Sequence, residues 1–152
     1  MHLTQQNLTA LGVTLLRVSL GIMYLAHSIL LKVMTFGLAG SASYFVSIGL
    51  PRWLAYVTIV AEATGGAAIL LGIKARWFAA ALTPILVGAI VTAHAHNGWV
   101  FSAPGGGWEY PAYLIVLSAA QFLLGDGALA LRPSAPFEVV PAQIKTSAAR
   151  FA

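Results

Sequence analysis

Residues 53–93 read WLAYVTIVAEATGGAAILLGIKARWFAAALTPILVGAIVTA. This stretch holds two apolar runs, residues 53–73 and 77–93, and only the short basic segment with Lys74 and Arg76 separates them. A helix needs about 17 to 25 apolar residues to cross a bilayer, and both runs fall within that length. The stretch therefore predicts two antiparallel transmembrane helices joined by a tight turn.

The flanking sequence predicts two further spans. Residues 8–31 form a long apolar run before the central pair, and residues 110–124 form a shorter one after it. Pro111 suits the first turn of the last helix, and the glycines around Asp126 suit its end. We therefore expect an all-α membrane protein, a four-transmembrane-helix bundle within a single domain, residues 1–131.

Three details complete the predicted architecture. Pro84 should kink the third span, because proline removes a backbone hydrogen bond and clashes with the preceding turn. Apolar residues 44–48 predict a short interfacial helix in the loop between the first two spans. Residues 132–152 contain three prolines and are expected to form an extended or disordered cytoplasmic tail.

Composition excludes several classes of protein. The 152 residues are 59% hydrophobic and 8% charged, whereas soluble domains carry about 25% charged residues. The absence of cysteine excludes disulfides, cysteine-ligated Fe–S clusters and covalent c-type haem. The basic residues lie at the ends of apolar runs, which is typical of membrane topology signals and not of nucleic-acid binding.

The distribution of basic residues also predicts an orientation. The side with the termini and the second turn holds five of them, and the opposite side holds Lys32 and Arg52. The excess predicts that both termini are cytoplasmic, because lysine and arginine accumulate on that side of a membrane. The first span should be retained, since its apolar run exceeds that of a signal peptide and no basic region precedes it.

Arg17 and Glu62 lie inside predicted spans, where an unpaired charge costs several kcal/mol. If each helix begins at its membrane surface, the depths of the two residues differ by about 5 Å. We therefore predict a buried ion pair between the first and second spans. A purely structural role for this pair remains open.

A polar stripe marks the first span. The α-helical period places Tyr24, Ser28 and Lys32 on the same side as Arg17, with His27 beside them. Several polar and aromatic residues are expected to gather with His27 and Lys32 at the outer end of the bundle: His94, His96, Trp99, Trp108, Glu109 and Tyr110.

This group of side chains supports several interpretations. A quinone site needs hydrogen-bond donors within aromatic or aliphatic walls. A metal site at His27, His94 and His96 is the less favoured interpretation, because His-x-His in a loop is a weak signal. The aromatic residues could instead form an interfacial belt, and the two loop histidines could simply be solvated.

Three segments resemble the DoxX family of small bacterial and archaeal membrane proteins: LLRVSLGIMYLAHSILLK (15–32), GLPRWLAYVTIVAEATGGAAILLGIKARWFAA (49–80) and GGWEYPAYLIVLSAAQFLLGDGALAL (106–131). The polar residues that match the family pattern are Arg17, Lys32, Glu62, His94, Glu109 and Tyr110. The sequence departs from the pattern after Gly127, where the family has serine and an acidic residue.

The resemblance implies a four-helix bundle in the bacterial or archaeal cytoplasmic membrane. The family takes its name from a subunit of a thiosulfate:quinone oxidoreductase, and other members are linked to membrane oxidoreductase complexes and oxidative-stress responses. The protein is therefore expected to be a quinone-linked oxidoreductase subunit, with no Fe–S cluster and no metal. The expected catalytic residues are His94 and Glu62. The expected quinone-binding residues are Arg17, Tyr24, His27, Lys32, Trp108, Glu109 and Tyr110.

Two alternatives remain open. The protein could be a non-catalytic anchor or accessory subunit, with the Ala/Gly-rich face of the second span and residues 132–152 as contact surfaces. A small-molecule transporter is the weaker alternative, since no inverted repeat is visible. Expected partners are the lipid bilayer and either a partner protein of a membrane complex or further copies of the chain.

Overall fold

The computed structural model describes residues 4–137, which fold into helices without any β-strand within that range. The first helix, α1 (Gln5–Leu25), continues as a π-helix over Ala26–Thr35. The others are α2 (Gly37–Ser47), α3 (Arg52–Leu71), α4 (Ala75–Ala89) and α5 (Glu109–Leu124). A π-helical turn, Ile90–His94, and a 3₁₀ turn, Ala95–Asn97, extend α4. The predicted tail lies outside the described residues from position 138 onward.

In the described part of the chain, three helical stretches are long and apolar enough to cross a membrane: Gln5–Thr35, Arg52–Leu71 and Ala75–Asn97. A fourth apolar helix, α5, is shorter. The prediction of an all-α, multi-pass membrane protein is thus confirmed. The helix predicted in the first loop is also present, as α2, and it spans more residues than expected.

α1 and α3 pack antiparallel at very short distance. A Cβ atom on Gly21 would lie 2.6 Å from the backbone nitrogen of Leu70, and one on Gly66 would lie 3.0 Å from the Cβ atom of Tyr24. Further along, Ser28 Oγ donates a hydrogen bond of 2.7 Å to the carbonyl oxygen of Ile59. Small side chains allow this approach, as is usual between transmembrane helices.

The glycines of the second span therefore face the inside of the bundle. Gly65 packs against Leu82 of α4, and Gly66 packs against α1. Gly65, Gly66 and Ala68 are buried within the chain itself. The hypothesis that this small-residue face contacts a partner protein is wrong at these positions, because α1 and α4 already occupy it.

The segment after α5 folds back against the start of the bundle. Leu131 N donates to Leu71 O at 3.1 Å, and Ala128 N donates to Ala10 O at 3.3 Å. Ile73 and Arg132 form an isolated parallel bridge. The early part of α1, the α3–α4 turn and residues 125–137 thus meet at one end of the bundle, called the turn end below. The opposite end, with α2 and the α4–α5 loop, is called the loop end.

Asp126 accepts the hydrogen bonds that connect two segments at the turn end. Its Oδ1 atom accepts a 2.8 Å hydrogen bond from the backbone nitrogen of Arg76, and its Oδ2 atom accepts from Ser134 N. The Arg76 nitrogen belongs to the first turn of α4, where free N–H groups favour a negative charge. Arg76 itself donates to Ala135 O at 3.1 Å and lies over the Phe137 ring. These contacts fix the chain after α5 against the α3–α4 turn.

We expect Gly21→Ala to destabilise the bundle, because the added methyl group would push α1 away from the α3 backbone. Overpacking of this kind costs about 1 to 3 kcal/mol. The measurement is the thermal unfolding midpoint of the protein in detergent. Gly12→Ala is the matched control, since nothing lies within 4 Å of the Cβ position at Gly12 of the same helix. Equal midpoints for the two variants would contradict the close α1–α3 packing.

Candidate functional site

A cavity of about 690 Å³ lies in the half of the bundle that faces the loop end. Its walls come from α1 and its π-helical extension, from α2, α3 and α4, and from the start of α5. Most of the lining is aliphatic or aromatic. Six of the predicted site residues line it: Tyr24, His27, Lys32, Glu62, His94 and Tyr110. Its volume falls within the range of small-molecule sites, about 300 to 1,000 Å³.

The π-helical segments place three of these residues. Phe36 N donates to Leu31 O at 3.0 Å, five residues earlier, so the turn is wider than that of an α-helix. In an α-helix His27 and Lys32 would point about 140° apart. The π-helix instead lets both line the cavity, and a second π-helical turn carries His94 at its end. π-Helical turns are rare and are frequent at functional sites.

Lys32 and Glu62 form a buried ion pair within the cavity wall. Lys32 Nζ lies 2.5 Å from Glu62 Oε2, and the two side chains are 17% and 6% exposed. Taking two charges out of water is costly, and close pairing offsets most of that cost. The pair puts an ammonium and a carboxylate at the edge of an otherwise apolar space.

The predicted Arg17–Glu62 ion pair is wrong. Arg17 Nη1 instead donates to the backbone oxygen of Asp126 at 2.7 Å, and its Nη2 donates to Leu129 O at 3.4 Å. These carbonyls belong to the segment that follows α5 at the turn end. Arg17 is a buried structural cation there, and it does not line the cavity.

The error came from the assumed depth of α1. Gly21 is level with Leu70, Arg17 lies four residues to one side, and Glu62 lies eight residues to the other. At about 1.5 Å per residue the two levels are about 18 Å apart, which an arginine side chain cannot span. The first helix starts at Gln5 and runs past the α3–α4 turn, so Arg17 belongs to the turn end.

Two tyrosines add hydroxyl groups to the cavity. Tyr24 is buried, and its hydroxyl is 3.1 Å from Ser118 Oγ of α5. The Tyr110 ring stacks on the His27 ring, with centroids 5.7 Å apart and an interplanar angle of 22°. The Tyr110 hydroxyl also contacts Met23 Sδ. These contacts join α1 to α5 on one side of the cavity.

His94 connects the cavity to the α4–α5 loop. Its Nδ1 atom lies 2.9 Å from the carbonyl oxygen of Gly106, so Nδ1 carries the proton in this contact. The Nε2 atom takes no part in this contact. Asn97 Nδ2 holds the same loop through Gly105 O and Gly106 O, both at 2.9 Å. The loop is therefore fixed at the Nδ1 atom of His94, a residue that also lines the cavity.

The remaining predicted residues lie outside the cavity lining. Glu109 Oε1 accepts a 2.7 Å bond from Phe101 N, and Trp108 packs edge-on against Trp99. Both residues hold the α4–α5 loop together. His96 does not line the cavity, and residues 4–137 contain no cluster of three or more His, Asp or Glu side chains that could hold a metal ion.

Sequence reasoning missed much of the apolar lining. Met23, Leu31 and Phe36 line the cavity together with Tyr44 of α2 and Pro84 of α4. No polar motif marks these positions, so the α-helical period alone could not have assigned them to a site. The five-residue spacing of His27 and Lys32 was the available sequence signal, because it puts both side chains on one side of a π-helix. It can be used only if the segment is already known to be π-helical.

A family model described as DoxX matches residues 12–95, which are 84 of the 152 residues. The chain is also 33% identical over 123 residues to the Bacillus subtilis (strain 168) protein named "Putative oxidoreductase CatD". That alignment covers 81% of this chain and 86% of the relative. The chain belongs to the DoxX family. The family prediction is thereby confirmed, and no solved structure matches this DoxX chain significantly.

The family match contains most of the cavity's polar groups. Tyr24, His27, Lys32, Glu62 and His94 all fall within residues 12–95, and Tyr110 lies beyond them. This DoxX chain thus folds so that polar groups from distant parts of the matched region meet at one apolar cavity.

We expect the free energies of unfolding of single and double variants to show that Lys32 is coupled to Glu62 and that Arg17 is not. Lys32→Met or Glu62→Gln alone removes one partner of a buried pair, which costs about 3 to 5 kcal/mol. The double variant should recover much of that loss, because no uncompensated charge remains. Unfolding by SDS titration in mixed micelles measures the coupling energy.

Arg17→Met combined with Glu62→Gln is the matched control. The two sites share no partner, so their effects should add within about 0.5 kcal/mol. A large coupling between Arg17 and Glu62, with none between Lys32 and Glu62, would contradict the arrangement.

Proposed function

We propose that this DoxX protein is a membrane subunit of a quinone-linked oxidoreductase and that its cavity binds the quinone head. One observation carries the proposal: an apolar cavity of about 690 Å³ holds a buried Lys32–Glu62 pair and His94 in its wall. The relative from Bacillus subtilis bears the name of an oxidoreductase, which supports the same class of activity.

The lining suits a quinone on chemical grounds. The flat ring of a quinone is apolar and packs against aliphatic and aromatic walls, while its two carbonyl oxygens need hydrogen-bond donors. Phe36, Ile85 and Leu114 are among the apolar walls. Lys32 Nζ has three N–H groups and gives one of them to Glu62, so it keeps capacity for a second acceptor.

A quinone bound in the cavity takes two electrons from a redox centre of a partner subunit together with two protons, and it leaves as the quinol. In the proposal, His94 takes up a solvent proton at Nε2, while Nδ1 keeps its proton for Gly106 O, and passes it to one quinone oxygen; Lys32 gives the other proton from Nζ. Water then reprotonates both groups. Glu62 acts through Lys32, because it holds the ammonium in position and compensates its charge.

In the proposal the electrons come from another protein, and this sequence has no cysteine that could ligate an Fe–S cluster. We therefore propose an electron-donating partner subunit. The small-residue face of α3 is already used inside the chain, so the partner contacts other surfaces.

We also propose the finer membrane architecture. α5 is the fourth span of the bundle, and Pro84 kinks α4 beside the cavity that it lines. The membrane is the bacterial or archaeal cytoplasmic membrane, with the turn end and both termini on the cytoplasmic side. The charge bias supports this orientation, because Lys32 turns into the bundle and leaves Arg52 as the basic residue of the loop end.

Gly88→Leu is expected to reduce quinone binding. Gly88 lines the cavity, and nothing lies within 4 Å of its Cβ position, so a leucine there fills space without a clash. The measurement is the amount of quinone per protein, determined by mass spectrometry after purification in mild detergent. Gly12→Leu is the control, because it adds the same side chain at a site away from the cavity. Full quinone occupancy in Gly88→Leu would count against the cavity as the binding site.

His94→Asn is expected to slow quinone reduction while quinone remains bound. The asparagine amide can still donate to Gly106 O as His94 Nδ1 does, but it has no counterpart of Nε2. Reduction of the quinone pool is measured in membranes that contain the native electron donors. His96→Asn is the matched control, since His96 lies outside the cavity lining. Equal rates for the two variants would exclude His94 as a proton donor.

A further inference from the structure

A second, smaller space lies directly beside the cavity. It is an open groove of about 260 Å³ along the π-helical segment, lined by Met23, Ala26, His27, Leu30, Leu31 and Thr35. Three of these residues, Met23, His27 and Leu31, also line the main cavity. A wall only one side chain thick therefore separates the two spaces.

The groove lies on the outer face of the first span. Leu30 is 56% exposed and Leu31 is 37% exposed, in a helix long and apolar enough to cross a membrane. In a multi-pass membrane protein such an apolar, exposed face lies against lipid. The groove therefore lies between the main cavity and the bilayer.

The chemistry of the groove favours a hydrocarbon occupant. Its few polar groups are already engaged: Thr35 Oγ1 donates to Leu30 O at 2.8 Å, and His27 Nδ1 lies 3.3 Å from Met23 O. No charged side chain is among its six lining residues. A polar ligand would gain nothing there, whereas an alkyl or isoprenoid chain would pack against methyl and methylene groups.

The wall is built from side chains that can move without breaking the fold. Met23 is a flexible side chain that adapts easily to a new neighbour. His27 is held by its stacking on Tyr110 and by one backbone contact, not by a buried ion pair. The Lys32–Glu62 pair lies on the inner side, so opening this wall would leave it intact.

We propose that the groove holds the isoprenoid tail of the quinone, and that the head enters the cavity from the lipid past Met23, His27 and Leu31. This inference rests on the proposed function and narrows the substrate to membrane quinones with a polyprenyl tail. The quinone then exchanges sideways with the bilayer, because its tail lies in the lipid-facing groove while its head is bound in the cavity.

The test compares one quinone head with and without its tail. Menadione and menaquinone share a naphthoquinone head, and a tail-less benzoquinone paired with ubiquinone gives the same comparison. Binding is measured on the full chain in lipid nanodiscs as quinone bound per protein over a concentration series. Ala26→Phe fills the groove from a position that does not line the cavity. Gly12→Phe adds the same side chain elsewhere on the first helix.

Ala26→Phe should weaken binding of the tailed quinone by about tenfold, equivalent to ~1.4 kcal/mol, and leave the tail-less head unaffected. Gly12→Phe should change neither, and the unfolding midpoints should show that both variants are folded. If both quinones bind the wild-type protein and Ala26→Phe weakens neither or weakens both equally, the tail does not use this groove. If no quinone binds the wild-type protein at all, the proposed function itself fails, and this inference with it.

A photoreactive label on the tail gives a second, independent measurement. A diazirine near the head end of the tail should crosslink to the peptide that contains Ala26 and Leu30. Crosslinks confined to α2 or α4 would place the tail on another side of the cavity and overturn the inference.

Discussion

An unpaired charge inside a bilayer costs several kcal/mol, and this constraint governs how the bundle is arranged. Among residues 4–137, four charged side chains are buried within the spans or next to their ends: Arg17, Glu62, Arg76 and Asp126. Each has different partners. Glu62 pairs with Lys32, and Arg17 binds backbone carbonyls after α5. Arg76 binds carbonyls and covers an aromatic ring, and Asp126 accepts hydrogen bonds from backbone N–H groups.

The partners of the buried charges differ between the two halves of the molecule. At the turn end, Asp126 ties α4 to the returning chain, and Arg17 fastens the same chain to α1. The polar groups there are used in holding elements together. In the other half, the Lys32–Glu62 ion pair lies at the edge of an apolar cavity of about 690 Å³. The two halves therefore differ in whether their buried charges border an open space.

The π-helical extension of α1 lies between this cavity and the outer groove. Because hydrogen bonds there run over five residues, Lys32 and His27 both turn toward the cavity, while Ala26 and Leu30 line the groove outside. One widened helix thereby forms both the polar wall of the site and the apolar groove beside it. α2 closes part of the cavity at the loop end, with Phe36 and Tyr44 among the lining residues.

The sequence by itself determined the all-α membrane class, the approximate spans and the family, because long apolar runs can satisfy their backbone groups in lipid only as helices. It also marked Tyr24, His27, Lys32, Glu62, His94 and Tyr110 as candidate site residues, since polar groups in apolar runs are conspicuous, and all six line the cavity. The partner of each charge was decided only by the tertiary structure. The depth of Arg17 depends on how far α1 runs past the α3–α4 turn, and the direction of Lys32 depends on the wider turn of the π-helix. The vertical offset of α1 and α3 depends on packing between distant parts of the chain, and the π-helix departs from the α-helical period that the prediction assumed, so neither could be taken from the local pattern of residues.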